Sequence, residues 1–224
     1  MDHAHTSDTL LARLRDGFDR IAFVLRADLW TAAGEAGLNP AQAQVLSLLA
    51  GRPAGLRPTE IAAHLAVSAA SMADTLGALV RKGLVQRDAD PGDARAAIMR
   101  ATPDGLEAGA EIARAASQVA EALEALPSAA QEELLLTQIA LIRQLQTAGA
   151  IPLQRMCVSC RHFRPHAHPR AAKTHHCAFV DAAIGGRDLR LDCGEHQAAD
   201  PAVQAATWTR FTKGSPPLQA QPES

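Results

Sequence analysis

The sequence predicts a mostly α protein: helices around one short β-hairpin, followed by a small module too poor in apolar residues to fold without a metal. Three observations carry this reading. Of 224 residues, 47% are hydrophobic but only 3% aromatic, a composition that builds Ala/Leu helices rather than a sheet sandwich. Between Leu38 and Ala101, helix start and stop signals follow one another until the apolar period changes from helical to alternating. All four cysteines fall within residues 157–193. The length allows one ordinary domain with a real core plus one small module.

From Asp8 to about Ala33, Leu10, Leu14, Phe18, Ile21, Leu25 and Leu29 recur every three or four residues, one face of a long amphipathic helix that Gly34 and Gly37 end. Asn39 caps the next helix, with Pro40 in its first turn, Val45, Leu48 and Leu49 as its stripe and Gly51 past its end. Pro58-Thr59-Glu60 opens a brief helix carrying Ile61 and Leu65, with Thr59 as its cap. Val67-Ser68 caps a third, Ala69 to Lys82, which buries Met72, Leu76, Leu79 and Val80 and stops at Gly83. Leu84–Arg87 and Ala96–Arg100 then read as strands around a turn-rich Asp88–Arg95, a hairpin with a polar, arginine-bearing tip. This order is a winged helix-turn-helix. Thr102-Pro103 opens a helix to about Leu126, and Ser128 caps another carrying Leu135, Ile139, Ile142 and Leu145.

Several fragments carry a resemblance. Leu38-Asn39-Pro40-Ala41-Gln42, the turn Val67–Met72, Arg81-Lys82-Gly83-Leu84-Val85, the wing Asp90-Pro91-Gly92-Asp93-Ala94-Arg95 and the exit Ala101–Gly105 stand in the order found in the MarR (multiple antibiotic resistance regulator) family. Over about residues 8–148 the chain resembles that family. The resemblance implies a cytoplasmic homodimeric transcription regulator, not an enzyme, whose first and last helices interlock between two chains. It also implies a functional wing pattern at Asp93 and Arg95 and a small, often aromatic, effector. Packing of the long helices within one chain is the alternative that the residues themselves allow.

With Met72, Leu76 and Leu79 inward, the helical period turns Ser68, Ala69, Ser71, Asp74, Thr75 and Ala78 outward as candidates for the groove of a double-stranded DNA operator. Serine and threonine hydroxyls reach phosphates or base edges, and alanine contacts a thymine methyl. Relatives often carry Arg or Lys where this chain has Ala69 and Asp74, which weakens guanine readout. Arg95 suits a narrow minor groove, or pairs with Asp93 to hold the turn. Thr59 offers backbone amides to a phosphate, or caps only. The overall charge of −2 excludes a strong nonspecific polyanion binder. The start, Met1-Asp2-His3-Ala4-His5, lacks a basic and an apolar region, and the apolar run 134–142 is broken by Thr137 and Gln138, so a cytoplasmic protein with no membrane partner is expected.

Cys157, Cys160, Cys177 and Cys193 stand with two, sixteen and fifteen residues between them, and residues 155–197 also hold six of the nine histidines. In a reducing cytosol such a set favours metal over disulfides. The preferred reading of residues 155–197 is a zinc site of these four cysteines, with Cys177–Val180 and Leu189–Cys193 as hairpin strands that converge the two halves. Cys193-Gly194-Glu195-His196 allows His196 to replace a cysteine. The spacing is also similar to that of high-potential iron–sulfur proteins, so an iron–sulfur cluster or redox-switching thiols remain open. Residues 213–224 are Pro/Gln/Ser-rich and read as a disordered tail. A zinc enzyme would need an open ligand position, which four thiolates do not leave. A winged helix that binds protein instead of DNA is the remaining class.

Overall fold

The computed structural model describes residues 9–214, which divide into two compact units at Pro127/Ser128. The first unit begins with α1 (Leu10–Glu35), capped by Thr9, whose hydroxyl accepts the Ala12 N–H at 3.2 Å. In α2 (Pro40–Ala50) the cap is reciprocal: Asn39 Oδ1 accepts from Gln42 N at 2.9 Å and Gln42 Oε1 from Asn39 N at 3.3 Å. Then come α3 (Pro58–His64) and α4 (Ala69–Arg81), the latter capped by Ser68. The antiparallel hairpin β1 (Val85–Asp90) and β2 (Asp93–Ala101) leads into α5 (Pro103–Arg114) and α6 (Gln118–Glu124).

The core gathers Val45, Leu46 and Leu49 of α2, Ile61 of α3, Met72 and Leu79 of α4, and Met99 of the hairpin. Leu46 rather than Leu48 fills the centre, and Val80 is 40% exposed because Leu79 occupies the inward position at that turn. Thr59 is not the cap of α3. Pro58 takes the first helical position, so the cap falls on Arg57, whose backbone N–H donates to Glu60 Oε2 at 2.7 Å. The helix expected to run to Leu126 breaks at 115–117, where Ser117 caps α6 and donates to Asp28 Oδ2 at 2.9 Å. The hairpin is longer than its alternating residues suggested: its turn is only Pro91-Gly92, stabilised by Gly92 N–H donating to Asp90 Oδ1 at 2.8 Å.

The second unit begins with α7 (Ser128–Thr147) and continues through β3 (Phe163–Arg164), β4 (His175–Cys177) and β5 (Ala182–Ile184), antiparallel in that order, to α8 (Pro201–Gly214). The expected strands 177–180 and 189–193 do not form. Cys177 instead closes β4, and residues 189–193 run as irregular chain after a single 3₁₀ turn. On α7 the stripe expected at a dimer interface is used inside the unit: Ile139 is buried, and Leu135, Leu136 and Ile142 pack with it against Met156, Val158, Phe163, Leu189 and Phe211. The boundary expected near residue 148 lies at the far end of this helix. Lys213 and Gly214 end α8, and the rest of the tail lies outside the described residues. Among the described residues no single helix is long and apolar enough to cross a membrane.

Candidate nucleic-acid interface and cysteine cavity

Helix α4 owes its two faces to its sequence: Met72, Leu76 and Leu79 recur on the buried side, leaving short polar and small residues on the other. Ser68, Ala69, Ser71 and Asp74 are exposed, while Thr75 and Ala78 are half-buried. The hydroxyls are partly committed to the helix. Ser68 Oγ donates to Ser71 Oγ at 2.9 Å while accepting the Ser71 N–H at 3.1 Å, and Thr75 Oγ1 donates to Ser71 O at 3.0 Å. Each oxygen keeps lone pairs for an outside donor. At the far end of α4, Lys82 Nζ donates to Gly37 O at 2.8 Å and Gln42 Oε1 at 3.1 Å, fixing α4 against the start of α2.

The wing departs from a regular ladder at one place. Ala89 pairs with Ala97, but the next residue, Asp90, pairs with Asp93, so residues 94–96 form a bulge. Arg95 is the middle residue of that bulge and is exposed. A bulge re-aims the side chains it carries. Asp93 Oδ1 accepts the Arg95 backbone N–H at 3.0 Å, and among the described residues the guanidinium has no carboxylate partner. Asp93 thus holds the backbone of the turn and leaves the Arg95 charge free. Thr59, exposed in the first turn of α3, makes no part of this surface's hydrogen bonding among the described residues.

Sequence reasoning missed the ties that hold the wing. Arg57 donates to Asp90 Oδ2 through Nε at 2.6 Å and Nη2 at 2.5 Å, and Arg100 Nη1 reaches Asp88 Oδ2 at 2.5 Å. The Gly92 N–H, and then Arg57, hold the Asp90 carboxyl below the ordinary range, and Arg100 does the same for Asp88. The alternation of Asp and Arg along 87–100 was the available signal. Leu56 adds a bridge to Met99, with N–H···O distances of 3.1 and 2.8 Å, and anchors the hairpin to the helices.

Residues 36–96 match the model of the MarR family. That family's members are transcription regulators. Solved structures agree on the fold. A MarR transcriptional regulator from Methanosarcina mazei Go1 has a TM-score of 0.53 at 17% identity, covering 60% of this chain and 99% of that one. A second MarR family regulator reaches 0.52 at 21%, covering 62% and 93%. CouR from Rhodococcus jostii RHA1, bound to p-coumaroyl-CoA, reaches 0.50 at 21%, covering 66% and 98%. No curated protein matches the chain.

The MarR match ends at residue 96, so the cysteines lie outside it. All four line one cavity of about 560 Å³ within the second unit. A 3₁₀ turn, Cys157–Ser159, brings the first two together: Cys160 N–H donates to Cys157 O at 2.9 Å, and the buried Met156, Val158 and Ser159 anchor the turn. Cys177 enters through its pairing with Phe163, and Cys193 is fixed by its N–H to Arg155 O at 3.0 Å. Cys157 Sγ accepts the Arg190 backbone N–H at 3.3 Å. Burial pushes the Cys157 thiol up, opposed by the Arg190 N–H and reinforced by the charges of Cys193, Cys160 and Cys177.

Of the histidines, only His162 lines the cavity among the described residues. Its Nε2 is buried with no hydrogen-bond partner, and its ring meets Phe179 edge-on at 5.5 Å. His196, the alternative ligand, points elsewhere: its Nε2 lies 3.0 Å from Ser159 Oγ. The cations expected to balance thiolate charge are partly engaged, Lys173 with Asp188 at 3.0 Å and Arg187 with Ser128 O and Gln131 Oε1 at 3.0 and 2.9 Å. Among the described residues no three His, Cys, Asp or Glu side chains stand close enough to hold one ion.

Proposed function

We propose that the chain is a cytoplasmic, homodimeric transcription regulator of the MarR type that reads a double-stranded DNA operator with α4 and the wing. The observation that carries this is the bulge at 94–96, which carries an exposed guanidinium with no carboxylate partner among the described residues while Arg57 and Arg100 hold the strand beneath it. A cation on a narrow hairpin fits the negative potential of a narrow minor groove. Ser68, Ala69, Ser71 and Thr75 would then lie in the major groove, giving phosphate contacts and thymine-methyl contacts rather than guanine readout.

Dimerisation is supported by α1, whose Leu10, Leu14, Phe18, Ile21 and Leu25 are 47–64% exposed. Each has roughly 1 kcal/mol still to gain from burial, so ten from two chains give about 10 kcal/mol, the order of the association cost of about 4–15 kcal/mol. A small-molecule effector belongs to the same reading. So does modulation by the second unit, because α7 contributes to the core around the cysteine cavity. A protein-binding winged helix is the second reading, favoured by the exposed Asp74 carboxylate, which repels phosphate.

A titration of the promoter beside its own gene separates the two. Tight, salt-dependent binding is expected, and Arg95→Ala should weaken it at least tenfold, about 1.4 kcal/mol, with the fold intact. Unchanged binding by the variant removes the wing from the interface. No binding by the wild type favours the protein-interaction module. Repeating the titration before and after treatment with a chelator tests modulation by a metal at the cysteines, which identical affinities would exclude.

A further inference from the structure

We propose that Cys157, Cys160, Cys177 and Cys193 hold a [4Fe–4S] cluster, with His162 donating a hydrogen bond to it through Nε2. A Zn–S bond of about 2.3 Å places the sulfurs of a tetrahedral zinc site roughly 3.8 Å apart. The four cysteines share one cavity, yet no three ligands among the described residues are close enough for a single ion. A cube of four irons and four sulfides puts its thiolate ligands at the corners of a larger tetrahedron around an eight-atom body. Four thiols that line one cavity of about 560 Å³ leave room for that eight-atom body, which a single ion would not fill.

The walls match it as well. A cluster's sulfurs are hydrogen-bond acceptors, and protein N–H donors around them tune the reduction potential. One such donor is already aimed: the Arg190 backbone N–H meets Cys157 Sγ at 3.3 Å. A second is waiting, because His162 Nε2 is buried at the same cavity with no partner. A buried, unpaired ring nitrogen is costly unless a ligand completes it. Phe163, Phe179 and Leu189 supply an apolar surround. Ligation takes one proton from each thiol and forms four Fe–S bonds, with no change in the oxidation state of the cysteines. A ligated cluster with a 2+ core carries −2, and Arg187 and Arg190 border the cavity to offset it, whereas Lys173 is paired with Asp188.

The test uses the full-length protein purified without oxygen. Four irons and four acid-labile sulfides per chain, with a brown colour, are expected, and Cys177→Ala should lose them. A colourless protein with one zinc, a two-iron cluster, or a chain without metal overturns the proposal. His162→Leu should keep the iron and sulfide content but lower the cluster's midpoint potential, since a donor to its sulfur is gone. An unchanged potential removes His162 from the site. Metal content is read without DNA, so its failure leaves the operator reading standing.

Discussion

Gly105 shows how much one missing Cβ can matter in this chain. It opens α5 under the exit of α4, where Thr102 Oγ1 donates to Gly83 O at 2.7 Å, and a methyl group at 105 would overlap the Leu84 carbonyl. Gly105→Ala should therefore cost about 1–3 kcal/mol, because a backbone carbonyl cannot swing aside as a side chain can. Gly77 is the contrast: its Cβ would meet only the Arg81 guanidinium, at 3.4 Å. Gly77→Ala should leave stability unchanged or raise it by up to about 1 kcal/mol through helix propensity. Urea midpoints at constant slope measure both, and a harmless Gly105→Ala would mean that α5 shifts freely against the hairpin.

At the scale of elements, the wing is held by charges whose loss can be timed with acid. Asp90 and Asp88 both titrate below the ordinary value of 3.8, Asp90 mainly because of the Gly92 N–H and Asp88 mainly because of Arg100. A depressed carboxyl contributes fully above the unfolded value and loses that contribution as pH falls through the folded one. Amide protection in residues 85–101, taken relative to the intrinsic exchange rate at each pH, should thus hold down to about pH 4 and fall below it, ahead of protection in α2. Loosening at pH 5–6 would point to some other group. The same wing marks where the sequence stopped being legible. The helices could be read because Asn39, Ser68 and Thr102 announce them chemically, and each does cap its helix. The hairpin could not be measured from its apolar residues. Its outer half pairs through Asp88, Ala89, Asp90 and Asp93, which carry no alternating signal, and the bulge that exposes Arg95 is a register change with no composition of its own. In the cysteine unit the thiols and their spacing were plain, but strands of two or three residues leave no period to read, so the expected hairpin was misplaced.

For the whole molecule, the apolar faces decide what the chain does with a second copy. Of the stripe of α7, Leu135, Ile139 and Ile142 pack against Met156, Val158, Phe163 and their neighbours while Leu145 stays 39% exposed, so most of the burial that an interlocking last helix would otherwise seek from a partner chain is supplied locally. The stripe of α1 is not covered, since only Ala32 and Ala33 are buried along its 26 residues. In the proposed dimer the interface therefore falls mainly on α1, and it should be separable from folding. Phe18 and Ile21 are both about half exposed and outside the core of the first unit. Phe18→Glu combined with Ile21→Glu brings like charges together across a two-fold interface while touching no buried neighbour. Sedimentation should show a dimeric wild type and a monomeric variant at the same concentration, with helix content and the urea midpoint of the first unit preserved. Operator affinity should fall with the dimer, because one reading head then binds without the effective concentration of the second. A variant that stays dimeric would move the interface off α1, and one that is monomeric yet binds DNA undiminished would show that a single head suffices.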